Sequence, residues 1–395
     1  MSRTDLQSGA VAPAVPTNPP RSPGRIAALD VARGIAILGT LATNIWIFSH
    51  PGGFLGYLAE PVSPADGWAP VFERMFMALA NGKFLGLLTL MFGIGLAIQR
   101  NSAVRRGRSW PGSYPWRALL LFLDGVLHYF LVVEFDVLMG YAVTGLVVAW
   151  IIAGTPRTQR RWIIATSVVH VLVITALTVL LVTAGAGLGD PVSVGENLYA
   201  TGSWWDLVVQ RWELLAVFRM EPILIFGMGI ALFTLGAQLL ERGLFEQRGA
   251  GLRSVLIRIG AVALLVDLVL AMTLPDLMLV NRYVLAPLVS LGLLSLIAAG
   301  WLYRTPGFVG RRLTDVGRMA LTCYIVQNIL ASVLFQGWGF GLAQVPADDR
   351  TWLTVAAFVG LCAVMVTASH LWLRRFERGP VEWLWARGYA LLARS

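Results

Sequence analysis

The sequence predicts an all-α fold, a polytopic bundle of about ten membrane-spanning helices with both termini in the cytoplasm. Three observations carry that prediction. Of the 395 residues, 57% are hydrophobic and only 13% are charged, and mean hydropathy is +0.69; soluble domains carry about 25% charged residues. Ten apolar runs approach the ~20 residues that a helix needs to cross a hydrocarbon core. Arginine clusters occupy alternate connecting segments, as membrane topology demands.

Residues 1–24 hold Pro13, Pro16, Pro19, Pro20 and Pro23 among Ala, Ser and Thr, too little apolar surface to order the chain, and a disordered cytoplasmic tail is expected. A secretory signal is not, because Asp30 and Arg33 interrupt the first apolar run and no small-residue cleavage site follows. The expected spans are 26–48, 71–98, 117–134, 137–153, 161–184, 219–240, 255–274, 281–302, 316–338 and 353–373. The second is over-long, and a break at Asn81-Gly82 would place Lys83 at a helix start. Only Glu134-Phe135-Asp136 separates the third from the fourth, so they form a tight hairpin. In 185–218, Leu207, Val208, Leu214, Leu215 and Phe218 recur near helical spacing beside Trp204, Trp205 and Trp212, which predicts an interfacial amphipathic helix.

Orientation follows from the loop charges. Arg100, Arg105, Arg106, Arg108 and Arg117 lie between spans two and three, and Arg157, Arg160 and Arg161 between four and five. Arg242, Arg248, Arg253 and Arg258 follow span six, Arg304, Arg311, Arg312 and Arg318 follow span eight, and Arg374, Arg375, Arg378, Arg387 and Arg394 follow the last. The alternate segments are acidic instead, with Glu60, Asp66, Glu134, Asp136, Asp190, Glu196, Asp276, Asp348 and Asp349. The net charge of +9 is thus topological, and no nucleic-acid partner is expected. Cys323 and Cys362 lie in separate apolar segments and give no disulfide or metal signal. There is no P-loop, dinucleotide-binding turn or metal-spaced cluster, so no metal and no tightly bound cofactor is expected.

Ionisable residues inside spans are expensive and mark candidate sites. All but one of the 31 basic residues are arginine; the one lysine, Lys83, sits in an apolar stretch and would neutralise a carboxylate, bind an anionic substrate or snorkel. Asp30 and Arg33 share a helical face, either as an ion pair against lipid phosphate or as an anion site in which Asp30 fixes the guanidinium. His128 lies close to Asp136, which could poise it as a general base; the alternative is a packing histidine. His50, in the loop after the first span, is either solvated or a second candidate base. His170 and His370 have no acidic neighbour and read as packing residues. Asn44, Gln327 and Asn328 suit interhelical hydrogen bonds or a cavity wall, and Arg318 opens the ninth span.

Five ordered blocks resemble one family. Leu29-Asp30-Val31-Ala32-Arg33-Gly34, followed by Asn44, opens the match. Lys83-Phe84-Leu85 with Met91-Phe92-Gly93, and Gly125-Val126-Leu127-His128 with Asp136 and Tyr141, form the second and third blocks. Gly317-Arg318-Met319-Ala320-Leu321-Thr322 with Tyr324 and Gln327, and Gly379-Pro380-Val381-Glu382-Trp383-Leu384-Trp385, complete it. By these blocks the chain resembles the bacterial YeiB family, domain of unknown function 418, from about Leu29 to Trp385. More remotely it is similar to the transmembrane acyltransferases, among them the lysosomal heparan glucosaminide acetyltransferase and bacterial envelope O-acyltransferases.

The resemblance implies a single transmembrane domain over 25–385, with an acyltransferase-like core at about 25–240, a family-specific region at 241–385 and a cytoplasmic tail at 386–395. It implies a protein of the bacterial cytoplasmic membrane that moves an acyl group from cytoplasmic acyl-CoA to an envelope sugar or lipid-linked glycan. Arg33 and Lys83 would bind the donor, with Asp30, Asn44, Tyr141, Arg318 and Gln327 also lining the substrate site. His128 or His50 would be the base, converging from different helices, and Asp136 would orient it. His50 stands where the heparan enzyme has its catalytic histidine, but Pro51 replaces a small residue there. The same intramembrane charges would also suit a transporter or flippase for an anionic or lipid-linked substrate, or a structural membrane protein, and the chain could work as a monomer or a homodimer.

Overall fold

The computed structural model describes residues 26–59, 67–184, 198–302 and 307–392, and the expected tail at 1–24 lies outside them. Among the described residues all regular structure is helical. In the first half run α1 (Ala27–Ser49), α2 (Ala69–Ala80), α3 (Lys83–Arg105), α4 (Tyr114–Leu131), α5 (Leu138–Ala153), α6 (Pro156–Ala184) and α7 (Trp204–Glu213). Then come α8 (Phe226–Glu241), α9 (Ala250–Thr273), α10 (Ala286–Trp301), α11 (Phe308–Arg318), α12 (Ala320–Phe335), α13 (Ala347–Leu373) and α14 (Pro380–Leu392).

Six helical stretches are long and apolar enough to cross a membrane, including the joined Ala69–Arg105, and two bent pairs raise the number to eight. One bent pair is Leu215–Leu224 with α8, at 42°; the other is α11 with α12, at 86°. Outside that set stand α4, which contains Arg117 and Asp124, and the short α5, 16 residues long, which pack together as a hairpin. The protein is a multi-pass membrane helix bundle. Its centre is α1, with 78% of its apolar window buried, against 17% for α6 and for the stretch containing α9, which form the periphery.

One expectation differs from the structure. The run at 316–338 is not one span: the chain turns sharply at Met319, so that the strongly amphipathic α11 lies across the bundle end and only α12 enters it. The segment expected as a cytoplasmic tail, 386–395, is helical as far as Leu392, where α14 ends after starting at Pro380.

Apolar burial supplies little force between helices in lipid, so close backbone approach matters more. It occurs where α1 crosses α11: a Cβ on Gly34 would meet the Leu313 carbonyl oxygen at 2.1 Å, and one on Gly317 would meet the Asp30 carbonyl oxygen at 1.8 Å. The first and fourth sequence blocks therefore meet in one contact. The break between α2 and α3 falls at Gly82, whose φ of +74° favours glycine, and the chain resumes at Lys83.

Candidate functional site

His128 lies in the last turn of α4, and its carbonyl accepts the Val132 and Val133 N–H groups that close the helix. The chain reverses through Glu134-Phe135-Asp136, and Asp136 Oδ2 accepts the Met139 N–H at 3.1 Å, capping the first turn of α5. Its other oxygen, Oδ1, lies 2.9 Å from His128 Nδ1. Gly125, one turn before the histidine, makes room, because a Cβ there would lie 2.6 Å from the Met139 nitrogen and 2.9 Å from Asp136 Oδ2. The spacing of the third sequence block is thus the geometry of this pair.

Asp136 accepts the Nδ1 proton, which leaves the lone pair of neutral His128 on Nε2, the tautomer a base requires. Nε2 faces the Asn328 amide at 3.2 Å, and the Tyr324 ring lies 5.0 Å away, centroid to centroid. Imidazole and carboxylate are both buried, at 3% and 1% exposure. Two arginines fasten the hairpin that carries Asp136. Arg211 of α7 reaches Glu134 Oε2 and donates to the Phe130 and Val132 carbonyls. Arg219 lies over the Tyr129 ring at 4.1 Å and donates to the Glu134 and Asp136 carbonyls.

Two cavities lie near the pair: His128 lines one, and its neighbour Tyr324 lines the other. One, of about 310 Å³, is lined at its arginine-rich end by Arg33, Arg117 and Glu382, and it reaches Val137 and Tyr324, the neighbours of Asp136 and His128. Arg33 lies 3.3 Å from Asp30, with its side chain 35% exposed. Arg117 is held from above by α14, over the Tyr389 ring at 4.1 Å and beside Trp385. Glu382 caps α12, accepting the Leu321 and Thr322 N–H groups at 2.8 and 3.1 Å and the Thr322 hydroxyl at 2.5 Å. The second cavity, of about 400 Å³, is lined by His128 itself with Asp124, Ser332, Trp204 and Trp338.

The structure separates Lys83 from Arg33. Lys83 opens α3 at the opposite end from the arginines, its Nζ 2.5 Å from Asp267 Oδ2 and 3.4 Å from the Asn81 carbonyl. Both side chains of the pair are buried, at 4% and 1% exposure, beside a recess of about 110 Å³. Of the three readings open to Lys83, the geometry is that of neutralising a carboxylate. Nearby, Arg282 reaches Asn81 Oδ1 and pairs with Glu221 at 2.8 Å, and Tyr283 donates to the same carboxylate.

His50 is not brought to His128 either. Its Nδ1 accepts the Gly52 N–H at 3.1 Å, and it lines a recess of about 10 Å³ with Glu73 and Tyr57, room for about one water. Tyr141 hydrogen-bonds Thr89 at 2.7 Å and donates to the Leu85 carbonyl, beside a small space shared with Asp136, Arg219 and Glu221. The Arg318 guanidinium donates to the Glu377 carbonyl and so ties the end of α11 to the segment that leads into α14. Gln327 is wholly buried, and among the described residues neither amide atom has a partner; it lies on the face of α12 that carries Tyr324 and Asn328. Asn44 is half-buried in α1.

The sequence reading missed Asp267, Glu221, Arg282, Asp124, Arg117 and Glu382. The first three could have been found: a charge inside a span calls for a partner of opposite sign in another, and Asp267 interrupts its apolar run as Lys83 does.

Comparison with known proteins gives a consistent result. The family described as "Protein of unknown function (DUF418)" matches residues 238–391. Over 389 residues the chain is 27% identical to YxaH of Bacillus subtilis, covering 91% of this chain and 93% of that protein. It is 29% identical over 395 residues to YeiB of Escherichia coli, covering 90% and 94%. A 39.9 kDa protein encoded in the amylase 3′ region of Bacillus acidopullulyticus is 24% identical over 373 residues, covering 91% and 92%. The chain is thus similar nearly end to end to YxaH and YeiB, and its closing helices match the DUF418 family.

Proposed function

We propose that the protein is a multi-pass acyltransferase of the bacterial cytoplasmic membrane that carries an acyl group from acyl-CoA to an envelope sugar or lipid-linked glycan. In this reading the arginine-rich end faces the cytoplasm. The thioester arm of the donor occupies the cavity of about 310 Å³, near the lower bound of roughly 300 Å³ for small-molecule pockets, and its phosphates stay outside against Arg33 and Arg117. The acceptor reaches His128 from the second cavity. Its hydroxyl oxygen or amine nitrogen bonds the thioester carbon while the proton passes to His128 Nε2. The carbon–sulfur bond then breaks, and the departing thiolate takes the proton from the imidazolium. Asp136 keeps Nε2 available and stabilises the imidazolium in between. Lys83 and His50 have no part in the chemistry.

The observation that carries the reading is the place of His128, a buried and carboxylate-oriented imidazole that lines one cavity and touches, through Tyr324, the wall of another lined by arginines. The test is transfer or hydrolysis of acyl-CoA by the purified protein. A His128→Gln variant should lose about 10²–10⁴-fold, the usual contribution of a general base. Absence of acyl-CoA binding and turnover in the wild-type protein would rule the reading out.

A transporter or flippase is the second reading. What favours it is the connected row Asp267–Lys83–Asn81–Arg282–Glu221, charged groups inside the bundle of the kind that lines pathways. Flux in proteoliposomes without any covalent product, abolished by Lys83→Ala, would select it.

A further inference from the structure

The cavity that His128 lines has an unusual wall. Asp124 lies one turn before His128 on the same face of α4, and both line the cavity. Asp124 Oδ2 is buried, and among the described residues the carboxylate has neither a hydrogen bond nor an ion pair. Around these polar groups the wall is apolar and turned outward: Leu127 is 59% exposed, with Leu131 and Ile329 also exposed at the surface the bundle presents to lipid. Trp204 and Trp338 complete the lining, their indole N–H groups donating to the Leu131 carbonyl and to Gln336 Oε1.

A carboxylate near the middle of a span costs roughly 2.5–3.5 kcal/mol on insertion scales unless something satisfies it. A hydroxyl group is the donor that does so without itself bringing a charge into lipid. At a rise of about 1.5 Å per residue, His128 lies some 4–5 Å and Asp124 about 10 Å below Leu131. A molecule that hydrogen-bonds Asp124 therefore carries its hydroxyls past His128, while apolar surface opens beside it at Leu127 and Ile329. Tryptophans serve such a molecule twice, as membrane-interface anchors and as flat faces for the C–H side of a sugar ring.

We propose that this cavity is a lateral binding site for a glycolipid: Asp124 accepts from hydroxyls of the sugar head group, and the lipid tails leave the bundle between α4 and α12 over Leu127 and Ile329. The inference rests on the acyltransferase reading only for what happens next, the presentation of a head-group hydroxyl to His128; the binding site stands without it. Asp124 is then a substrate-binding residue, set one helical turn from the base.

The test is native mass spectrometry of the detergent-solubilised protein titrated with monoglucosyl diacylglycerol, phosphatidylethanolamine or methyl glucoside, with no acyl donor present. The wild-type protein should retain the glucolipid at least ten times more strongly than either of the others. Ile329→Trp, which fills the groove, should abolish that preference, and the nearly isosteric Asp124→Asn, chosen because it preserves the packing, should weaken glucolipid retention about tenfold. Equal retention of both lipids, retention of methyl glucoside as strong as that of the glucolipid, or indifference to Asp124→Asn would each overturn the inference. Acyl transfer to a sugar acceptor by a protein that shows no preferential retention of the glucolipid would keep the enzyme and discard the lateral site. Glucolipid binding with no turnover of any acyl-CoA would keep the site and discard the enzyme.

Discussion

Replacing Lys83 by Met should destabilise the protein without touching donor binding. Lys83 Nζ stands 2.5 Å from Asp267 Oδ2, both side chains are nearly inaccessible, and among the described residues Asp267 Oδ1 has no partner. Removing the ammonium leaves a buried carboxylate uncompensated, a change that costs about 3–5 kcal/mol, whereas replacing both members of such a pair with apolar residues is often neutral. At about 2 °C per kcal/mol, Lys83→Met should lower Tm by about 6–10 °C. Asp267→Leu should do much the same, and the double variant should recover most of the loss. Melting followed by intrinsic fluorescence in one detergent, for wild type, both single variants and the double, measures the coupling. Losses that simply add would show that the pair is not what holds Lys83 in place. A Lys83→Met protein of normal Tm with impaired acyl-CoA binding would return the lysine to the donor site and refute the reasoning.

Three further outcomes follow from the geometry. Asp136→Asn should reduce transfer by about 10²–10⁴-fold, because the amide does not hold His128 in the tautomer with its lone pair on Nε2; steady-state kinetics at saturating donor would show the loss in kcat. Arg33→Ala and Arg117→Ala should each raise the KM for acyl-CoA by about tenfold or more with kcat retained, the loss of one charge-assisted hydrogen bond of roughly 1.5–3 kcal/mol. Gly317→Val should prevent folding, since its Cβ would fall 1.8 Å from the backbone oxygen of Asp30, while Gly360→Ala, where a Cβ meets nothing within 4 Å, should be tolerated; yield of monodisperse protein distinguishes them.

The bundle was legible in the sequence because lipid imposes a length rule on apolar runs and a charge rule on loops. The break before Lys83 was legible through Asn81-Gly82, and the hairpin through its three-residue separator, which also puts Asp136 within reach of His128. The turn at Met319 was not, because no proline or second glycine marks it: Gly317 serves the crossing with α1, and an amphipathic helix of 11 residues continues the same apolar run. Lys83 shows the limit for the site. Its cost inside a span was readable, but its partner was not, since Asp267 lies 184 positions away. Arg33 and Lys83 are apart for a related reason: both are cations in the first two turns of a helix, but α1 and α3 begin at opposite ends of the bundle. His50 and His128 are likewise separated by packing that no local pattern encodes.

The most direct test is a single-turnover reaction of purified protein with labelled acyl-CoA and a sugar acceptor, comparing wild type with His128→Gln after donor binding has been shown equal in both. A base that lines the acceptor cavity, with the donor cavity nearby, predicts transfer by the wild type and a loss of at least a hundredfold in the variant. Transfer at the wild-type rate in His128→Gln would contradict it.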